Sequence, residues 1–147
     1  MPDSTDKKAF IKPLQTGTSI HKQVTAPQIG AFGERDLEGR DFSLGWSLLT
    51  EPFLMVEDSH SHDFDQLILF FGGDSNNIGE FDGEVEFGLG EKEELHSITA
   101  ASLIFIPGGV NHGPLNVKRV GKPFMFIDIT FSPGPSIRPV PEGNERE

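Results

Sequence analysis

Cysteine and tyrosine are both absent from this sequence of 147 residues, and basic residues are few. Without cysteine the chain cannot form disulfides, thiolate nucleophiles or cysteine-ligated zinc sites. Twelve lysines and arginines stand against 23 acids, so the formal net charge is −11. Because nucleic-acid grooves and anionic membrane surfaces both call for a basic footprint, we expect neither as a partner.

Long apolar runs are also missing. The run "LILFF" at 67–71 is among the longest, and it is far too short to cross a membrane. The first residues, "MPDSTDKKAF", lack the apolar core of a secretory signal. We therefore expect a cytoplasmic protein, and the length fits a single folded domain.

The chain instead has many short segments that are typical of β-strands. Segments such as "FSLGWSLLTE", "EVEFGLG" and "PFMFIDITF" alternate with clusters of the 17 glycines and 11 prolines, and no long helical periodicity appears. We expect an all-β barrel or sandwich, closed like a jelly roll. Because "LILFF" and "LIFI" (103–106) are apolar at every position, we expect both faces of these strands to be covered.

Three regions are expected along the chain. An N-terminal arm covers residues 1–39, the barrel covers 40–131, and a proline-rich tail covers 132–147. The arm contains "AFIKPLQTGTSI", which has no obvious place in a single barrel. We interpret it as a segment that adds a strand to a second copy, and so expect a homodimer.

Two histidine segments carry the functional signal. His60 and His62 point to the same side if they lie on a strand, so both imidazoles can meet one ion. In "IFIPGGVNHGPLN", glycines allow a tight reversal after Pro107, and His112 can then face the same barrel mouth. Each segment alone is more typical of a solvated loop or a half-buried hairpin, but together they favour a metal site.

The spacing of these residues resembles the two motifs of the cupin family. His60, His62, Gln66 and Gly73 fit the first motif, and Pro107, Gly109, His112 and Asn116 fit the second. Leu54 and Ala101 replace the glycines that usually open the motifs, and Gln66 replaces the usual glutamate. The resemblance covers roughly 40–131. It implies a small double-stranded β-helix with one divalent transition metal, Zn, Fe, Mn or Ni, at His60, His62, His112 and Gln66.

Glutamine at position 66 leaves two alternatives open. If its neutral carbonyl binds the metal, the site keeps nearly the full 2+ charge and acts as a stronger Lewis acid. Replacing Gln66 with Glu should then tighten metal binding. Alternatively, Gln66 hydrogen-bonds a metal-bound water or a substrate. The sequence does not choose between them.

Other site residues are weaker candidates. Asp63, Asp65, His96 and Glu84 are candidate acid–base groups, although acids beside turns are usually solvated. His21 is expected at the surface. Core packing is the default for aromatic residues, but five of them are candidates to line a small-molecule pocket: Trp46, Phe70, Phe105, Phe124 and Phe126.

The function remains open between classes. The first hypothesis is a metal enzyme acting on a small carboxylate, enolisable or aromatic substrate. Such an enzyme would catalyse either a redox-neutral isomerase, lyase or cyclase reaction, or a dioxygenation with non-haem iron. The alternatives are a non-enzymatic module that binds a metal or a small ligand, and a structural dimer whose metal only links strands.

Overall fold

A computed structural model describes residues 8–135 as two facing antiparallel sheets. The strands are β1 (Gln15–Gly17), β2 (Gln28–Phe32), β3 (Ser43–Leu49), β4 (Phe53–Val56), β5 (Gln66–Gly72), β6 (Gly83–Leu89), β7 (Glu94–Ile98), β8 (Ser102–Ile106), β9 (His112–Val120) and β10 (Phe124–Thr130). A single turn of helix, α1 (Gly33–Asp36), follows β2. One sheet has the order β1-β2-β3-β10-β5-β8 and the other β4-β9-β6-β7. The predicted all-β jelly-roll architecture is confirmed.

The core lies between the two sheets and is built by alternation along the strands. In β5 every second residue is buried, beginning with Gln66, because successive side chains point to opposite faces. Ile68 and Phe70 of β5 pack with Val85 of β6 and Val117 of β9 in one cluster of buried side chains. Gln66 therefore shares the inward face with core residues.

The N-terminal arm has a place in the chain's own sheet. β2 pairs with β3, and β1 pairs with the other side of β2. The expectation that this segment has no place in a single barrel was therefore wrong. Its Ser19 and Val24 are buried, so the described part of the arm contributes to the same core.

The prediction that both faces of the apolar strands are covered was wrong for β8, whereas no residue of β5 is exposed. Within residues 8–135, Leu103 and Phe105 of β8 are 62% and 52% exposed. The strand register aligns them with apolar side chains across the six-stranded sheet, in rows that run over β5, β10 and β3. We call this surface the outer sheet face; its side chains are Leu44, Trp46, Leu48, Leu67, Leu69, Phe71, Leu103, Phe105, Met125, Ile127 and Ile129.

The segment between the two motifs forms a hairpin. β6 and β7 pair antiparallel, from Val85 opposite Ile98 to Leu89 opposite Glu94. The other side of β6 pairs with β9. The hairpin thus extends the four-stranded sheet, and β7 is its largely exposed edge. None of the helical structure in the described chain is long and apolar enough to cross a membrane.

Candidate metal centre

The three motif histidines meet at one end of the space between the sheets. His60 follows β4, and its backbone pairs with that of His112 at the start of β9 through N–O hydrogen bonds of 2.9 and 2.8 Å. His62 is held by Gly109, whose amide nitrogen donates to the His62 carbonyl at 2.7 Å. One ring nitrogen from each of the three histidines lies within 4.8 Å of the others.

Glycines set the path of the chain around this cluster. Gly109 and Gly113 have φ values of +85° and +109°, a region that other L residues rarely adopt. A Cβ on Gly113 would also stand 2.6 Å from the carbonyl oxygen of Asp58. Both glycines are therefore required for the turn that brings His112 against the segment of His60 and His62.

Backbone carbonyls orient two of the imidazoles. Nδ1 of His60 lies 3.1 Å from the Asp58 carbonyl oxygen, and Nδ1 of His112 lies 3.1 Å from that of Val110. A carbonyl only accepts, so each Nδ1 must carry the proton. In the neutral ring the lone pair is then on Nε2, the arrangement in which histidine binds a metal.

Burial lowers the pKa of two of the histidines. It lowers the pKa of His112, and the neighbouring His60 and His62 lower it further. The pKa of His62 is also lowered, first by burial and then by His60. A lower pKa favours the neutral form of these two imidazoles, which holds the lone pair that a metal needs.

The polar atoms of the site fit a metal ion. Nε2 of His62 and Nε2 of His112 are buried and have no hydrogen-bond partner in the described chain. Buried nitrogen atoms without a partner are costly and rare in native proteins. A divalent transition metal bound to these nitrogens would satisfy them, and imidazole suits Zn, Fe and Ni.

Gln66 lies beside the cluster with a fixed orientation. It is 5% exposed, and its Nε2 donates a 2.7 Å hydrogen bond to Oδ1 of Asp128 on β10. The carboxylate cannot donate, so the amide nitrogen must face Asp128 and Oε1 must face away. Oε1 is buried and has no hydrogen-bond partner in the described chain. It is an acceptor available to a metal or to a ligand.

A cavity of about 380 Å³ opens next to the histidines. His60, Gln66 and His112 contribute to its wall. Its other lining residues are Ser19, Ile20, His21, Val24, Gln28, Gly45, Ser47, Met55, Val56, Glu57, Asp58, Ile68, Phe87, Leu115, Phe126 and Asp128. The volume is in the range of small-molecule sites in proteins.

Most of the predicted pocket aromatics lie elsewhere. Of the five, Phe126 lines the cavity. Phe70 and Phe124 are buried in the core, where their rings meet Phe81. Trp46 and Phe105 are on the outer sheet face, because alternation along β3 and β8 turns them away from the core. The structure thus places four of the five outside the cavity lining: Phe70 and Phe124 point inward but belong to the core, and Trp46 and Phe105 point outward.

The candidate acid–base groups do not line the cavity either. Asp63 is exposed, and Asp65 accepts a 2.9 Å hydrogen bond from the amide nitrogen of Gly108, which ties the two motif segments together. His96 is exposed on edge strand β7, and Glu84 accepts from Ser97 across the same hairpin. The structure thus gives Asp65 and Glu84 hydrogen-bond partners outside the cavity.

Two titratable residues of the cavity were missed. His21, expected at the surface, lines the cavity beside Phe53, and burial lowers its pKa. Asp128 stands in the apolar-looking strand "FMFIDIT", where a single acid at an inward position was the available signal.

Comparison with known proteins supports the fold. No family model matches the sequence, and no curated protein matches it. Among solved structures, a point mutant of Bacillus subtilis oxalate decarboxylase has a TM-score of 0.57 at 13% identity, covering 93% of this chain and 33% of that one. A second structure of that enzyme, studied for its Mn(II) centres, has a TM-score of 0.54 at 10% identity with the same coverage.

These likenesses concern the fold alone, because the identities are low and this chain spans about a third of the length of the matched chains (33%). The resemblance to the cupins is confirmed at that level: the two-sheet fold and the convergence of three histidines agree with it.

Proposed function

We propose that this protein binds one divalent transition metal at His60, His62 and His112 and acts as a metal-dependent enzyme on a small molecule. The observation that carries the proposal is the convergence of three imidazoles, two of them with buried and unpartnered Nε2 atoms. The solved neighbour with Mn(II) centres supports a divalent ion, and the identity of the metal stays open among Zn, Fe, Mn and Ni.

The metal would supply Lewis-acid chemistry, or redox chemistry if it is iron. His60 and His112 hold their lone pairs in place through their Nδ1 hydrogen bonds. Gln66 presents Oε1 either to the ion or to a molecule bound beside it, and Asp128 holds the amide in that orientation. A ligand bound against the apolar side chains of the cavity would displace water from the reacting groups.

The cavity favours a site that holds a ligand over a metal that only links strands. A purely structural metal is normally enclosed by four protein ligands, whereas this cluster borders the open space of a cavity. A non-enzymatic module that binds a small ligand at the same metal is the second candidate, and the cavity supports it equally. Cytoplasmic location and homodimerisation remain predictions.

Elemental analysis of protein purified without chelators tests the proposal. We expect close to one equivalent of a transition metal per chain. Replacing His60, His62 or His112 with Ala should lower occupancy at least tenfold, since each change removes one of few strong ligands. His96→Ala is the matched control, because His96 is exposed on β7 and should leave occupancy unchanged.

Less than about a tenth of an equivalent of any metal, with none bound on reconstitution, would refute the metal site. Turnover in a substrate screen with metal-loaded protein, lost in the histidine variants, would distinguish the enzyme from the binding module. Saturable ligand binding without turnover would favour the module.

A further inference from the structure

His62 differs from the other two histidines of the cluster in how its ring is held. The backbones of His60 and His112 pair with each other, and each of their rings contacts a backbone carbonyl through Nδ1. His62 lies in the loop between β4 and β5, outside any strand. In the part of the chain that the structure describes, no carbonyl accepts a hydrogen bond from its ring. The orientation of this imidazole therefore depends on packing.

Phe64 provides the packing contact. The rings of His62 and Phe64 are stacked, with centroids 4.7 Å apart and planes 9° from parallel. The lone pair of an imidazole lies in the plane of the ring, so a neighbour that fixes this plane restricts the directions in which the lone pair can point. The ring of His62 also lies against those of His60 and His112, with centroids 4.8 and 5.2 Å apart. The stack thus holds the plane of His62 at the place where the three imidazoles meet.

The backbone is anchored on both sides of Phe64. The His62 carbonyl accepts a 2.7 Å hydrogen bond from the amide of Gly109, and the Asp65 carbonyl accepts a 3.0 Å hydrogen bond from the amide of Phe131. Phe64 itself is partly buried, and within residues 8–135 it belongs neither to the hydrophobic core cluster nor to the side chains packed against that cluster. Its ring is therefore fixed beside His62 without being part of the core.

The electrostatics of the pair favour the metal-bound state of His62. The faces of a phenyl ring are negative, and they attract positive groups. An imidazole that gives its lone pair to a divalent ion becomes more positive. The stack with Phe64 is then stronger when the metal is bound than in the metal-free protein, so the phenyl face contributes to metal affinity as well as to ring orientation.

We propose that Phe64 is a positioning residue, which fixes the ring plane of His62 and through that imidazole raises the affinity of the site for a divalent metal. The effect on affinity rests on the proposed function, which gives the imidazole an ion to bind. The effect on the ring plane concerns the metal-free protein and is measured without an ion. An aliphatic side chain at position 64 would fill similar space but would offer no face for stacking.

Competitive Zn²⁺ titration of the full chain measures the effect on affinity. Phe64→Leu removes the aromatic face and should lower Zn²⁺ affinity by about threefold or more, whereas Phe64→Tyr keeps the face and should stay within about twofold of the wild type. Phe71→Leu is the matched control. Phe71 is also partly buried and also contacts an aromatic ring, that of Trp46, but it lies on the outer sheet face. This control should leave the affinity unchanged.

A double-mutant cycle shows whether Phe64 acts through His62. His62→Ala removes the stacked imidazole and leaves a weaker site. In that background, Phe64→Leu should change Zn²⁺ affinity by less than about 1.5-fold, because no ring is left to position. A general effect of the substitution on the fold would instead lower the affinity equally in both backgrounds.

NMR of the metal-free protein tests the stack directly. Protons of the His62 ring that lie over the face of Phe64 are shifted upfield by its ring current, and their signals are assigned by their loss in His62→Ala. In Phe64→Leu these signals should move downfield, and their Overhauser contacts with the rings of His60 and His112 should weaken. Chemical-shift dispersion would verify that each variant is folded.

Three results would overturn the proposal: unchanged His62 signals in folded Phe64→Leu, a Zn²⁺ affinity that Phe64→Leu leaves unchanged or lowers equally in the His62→Ala background, or a loss in Phe64→Tyr as large as that in Phe64→Leu. Metal uptake with any of these results would leave the proposed function intact. A protein that takes up no metal would refute the proposed function and the effect on affinity, and the NMR comparison would still decide whether Phe64 fixes the ring.

Discussion

The side-chain amide nitrogen of Gln66 donates a 2.7 Å hydrogen bond to the carboxylate of Asp128, and the amide oxygen faces away from that carboxylate without a partner in the described chain. This contact joins β5 to β10 next to the histidine cluster. The contact gives a physical reason for glutamine at position 66, where the cupin motif that this chain resembles usually has glutamate. A carboxylate at 66 would face Asp128, whereas an amide can donate to it.

The first prediction follows from this contact and revises an expectation from the sequence. Gln66→Glu alone should not tighten metal binding, because the introduced carboxyl must stay protonated or repel Asp128. At a pH where the introduced carboxyl is ionised, it cannot donate to Asp128, and the lost hydrogen bond should lower the free energy of unfolding of the metal-free protein by about 1–3 kcal/mol. Urea unfolding and competitive Zn²⁺ titration measure the two effects.

A double variant separates the causes. In Gln66→Glu with Asp128→Asn, the new asparagine amide can donate to the new carboxylate, which restores the bond with inverted polarity. This protein should regain stability and bind Zn²⁺ at least tenfold more tightly than the single variant, with Asp128→Asn alone as control. Equal metal affinity in the single and double variants would show that Asp128 does not govern the choice of residue at 66.

The second prediction concerns the close approach of β6 and β9 beside His112. A Cβ on Gly88 would overlap the carbonyl oxygen of Gly113, so Gly88→Ala must push the strands apart. We expect a loss of about 1–3 kcal/mol in unfolding free energy, as for other overpacked sites, together with weaker metal retention.

Gly79→Ala is the matched control for that change. Its Cβ would meet one atom, Oδ1 of Asn77, at an ordinary 3.6 Å. Thermal unfolding and Zn²⁺ retention should therefore match the wild type. If Gly88→Ala retains metal as well as Gly79→Ala does, the spacing of these strands does not control the position of His112.

The third prediction is a pH dependence of stability from His21. Burial lowers its pKa below the ordinary value of 6.5, so the unfolded chain takes up a proton at higher pH than the folded chain does. His21 therefore has no effect on stability well above pH 6.5 and destabilises the fold as pH falls through that value. His21→Gln should lose less stability than the wild type between about pH 7.5 and pH 5.

Chemical denaturation of the metal-free wild type and His21→Gln at both pH values gives the slope of unfolding free energy against pH for each protein. The difference between these two slopes is the contribution of His21. His62 and His112 contribute to both proteins and cancel in this comparison. His96→Gln serves as the control, since His96 is exposed on β7. Identical slopes in the wild type and His21→Gln would contradict the burial of His21.

The parts of this structure that follow from local spacing could be predicted from the sequence. Alternation and turn residues indicated the strands, and the two motifs indicated that His60, His62 and His112 would converge. The contact between Gln66 and Asp128 could not be predicted, because the pairing of β5 with β10 joins residues 62 apart in sequence. The directions of Trp46 and Phe105 could not be predicted for the same reason. Whether each side chain points inward or outward depends on strand pairings that no local pattern specifies.

The fourth prediction is that two copies associate through the outer sheet face. This surface is apolar across four strands and carries no charged side chain, so two copies can meet there without opposing acids despite the net charge of −11. Patches of this kind mark interaction sites in soluble proteins, and a two-fold axis lets the same patch serve both copies. Sedimentation velocity at micromolar concentration should therefore show a dimer.

Replacing both Leu103 and Phe105 with Lys places charge at the exposed end of this face and should shift the protein to monomer, because the charges would have to be desolvated. Ile78→Lys is the matched control: Ile78 is 61% exposed, but it lies in the loop between β5 and β6, away from the outer sheet face. Circular dichroism would establish that the variants keep their strands. A monomeric wild type, or a dimer that persists in the doubly substituted protein, would show that this face is not the interface.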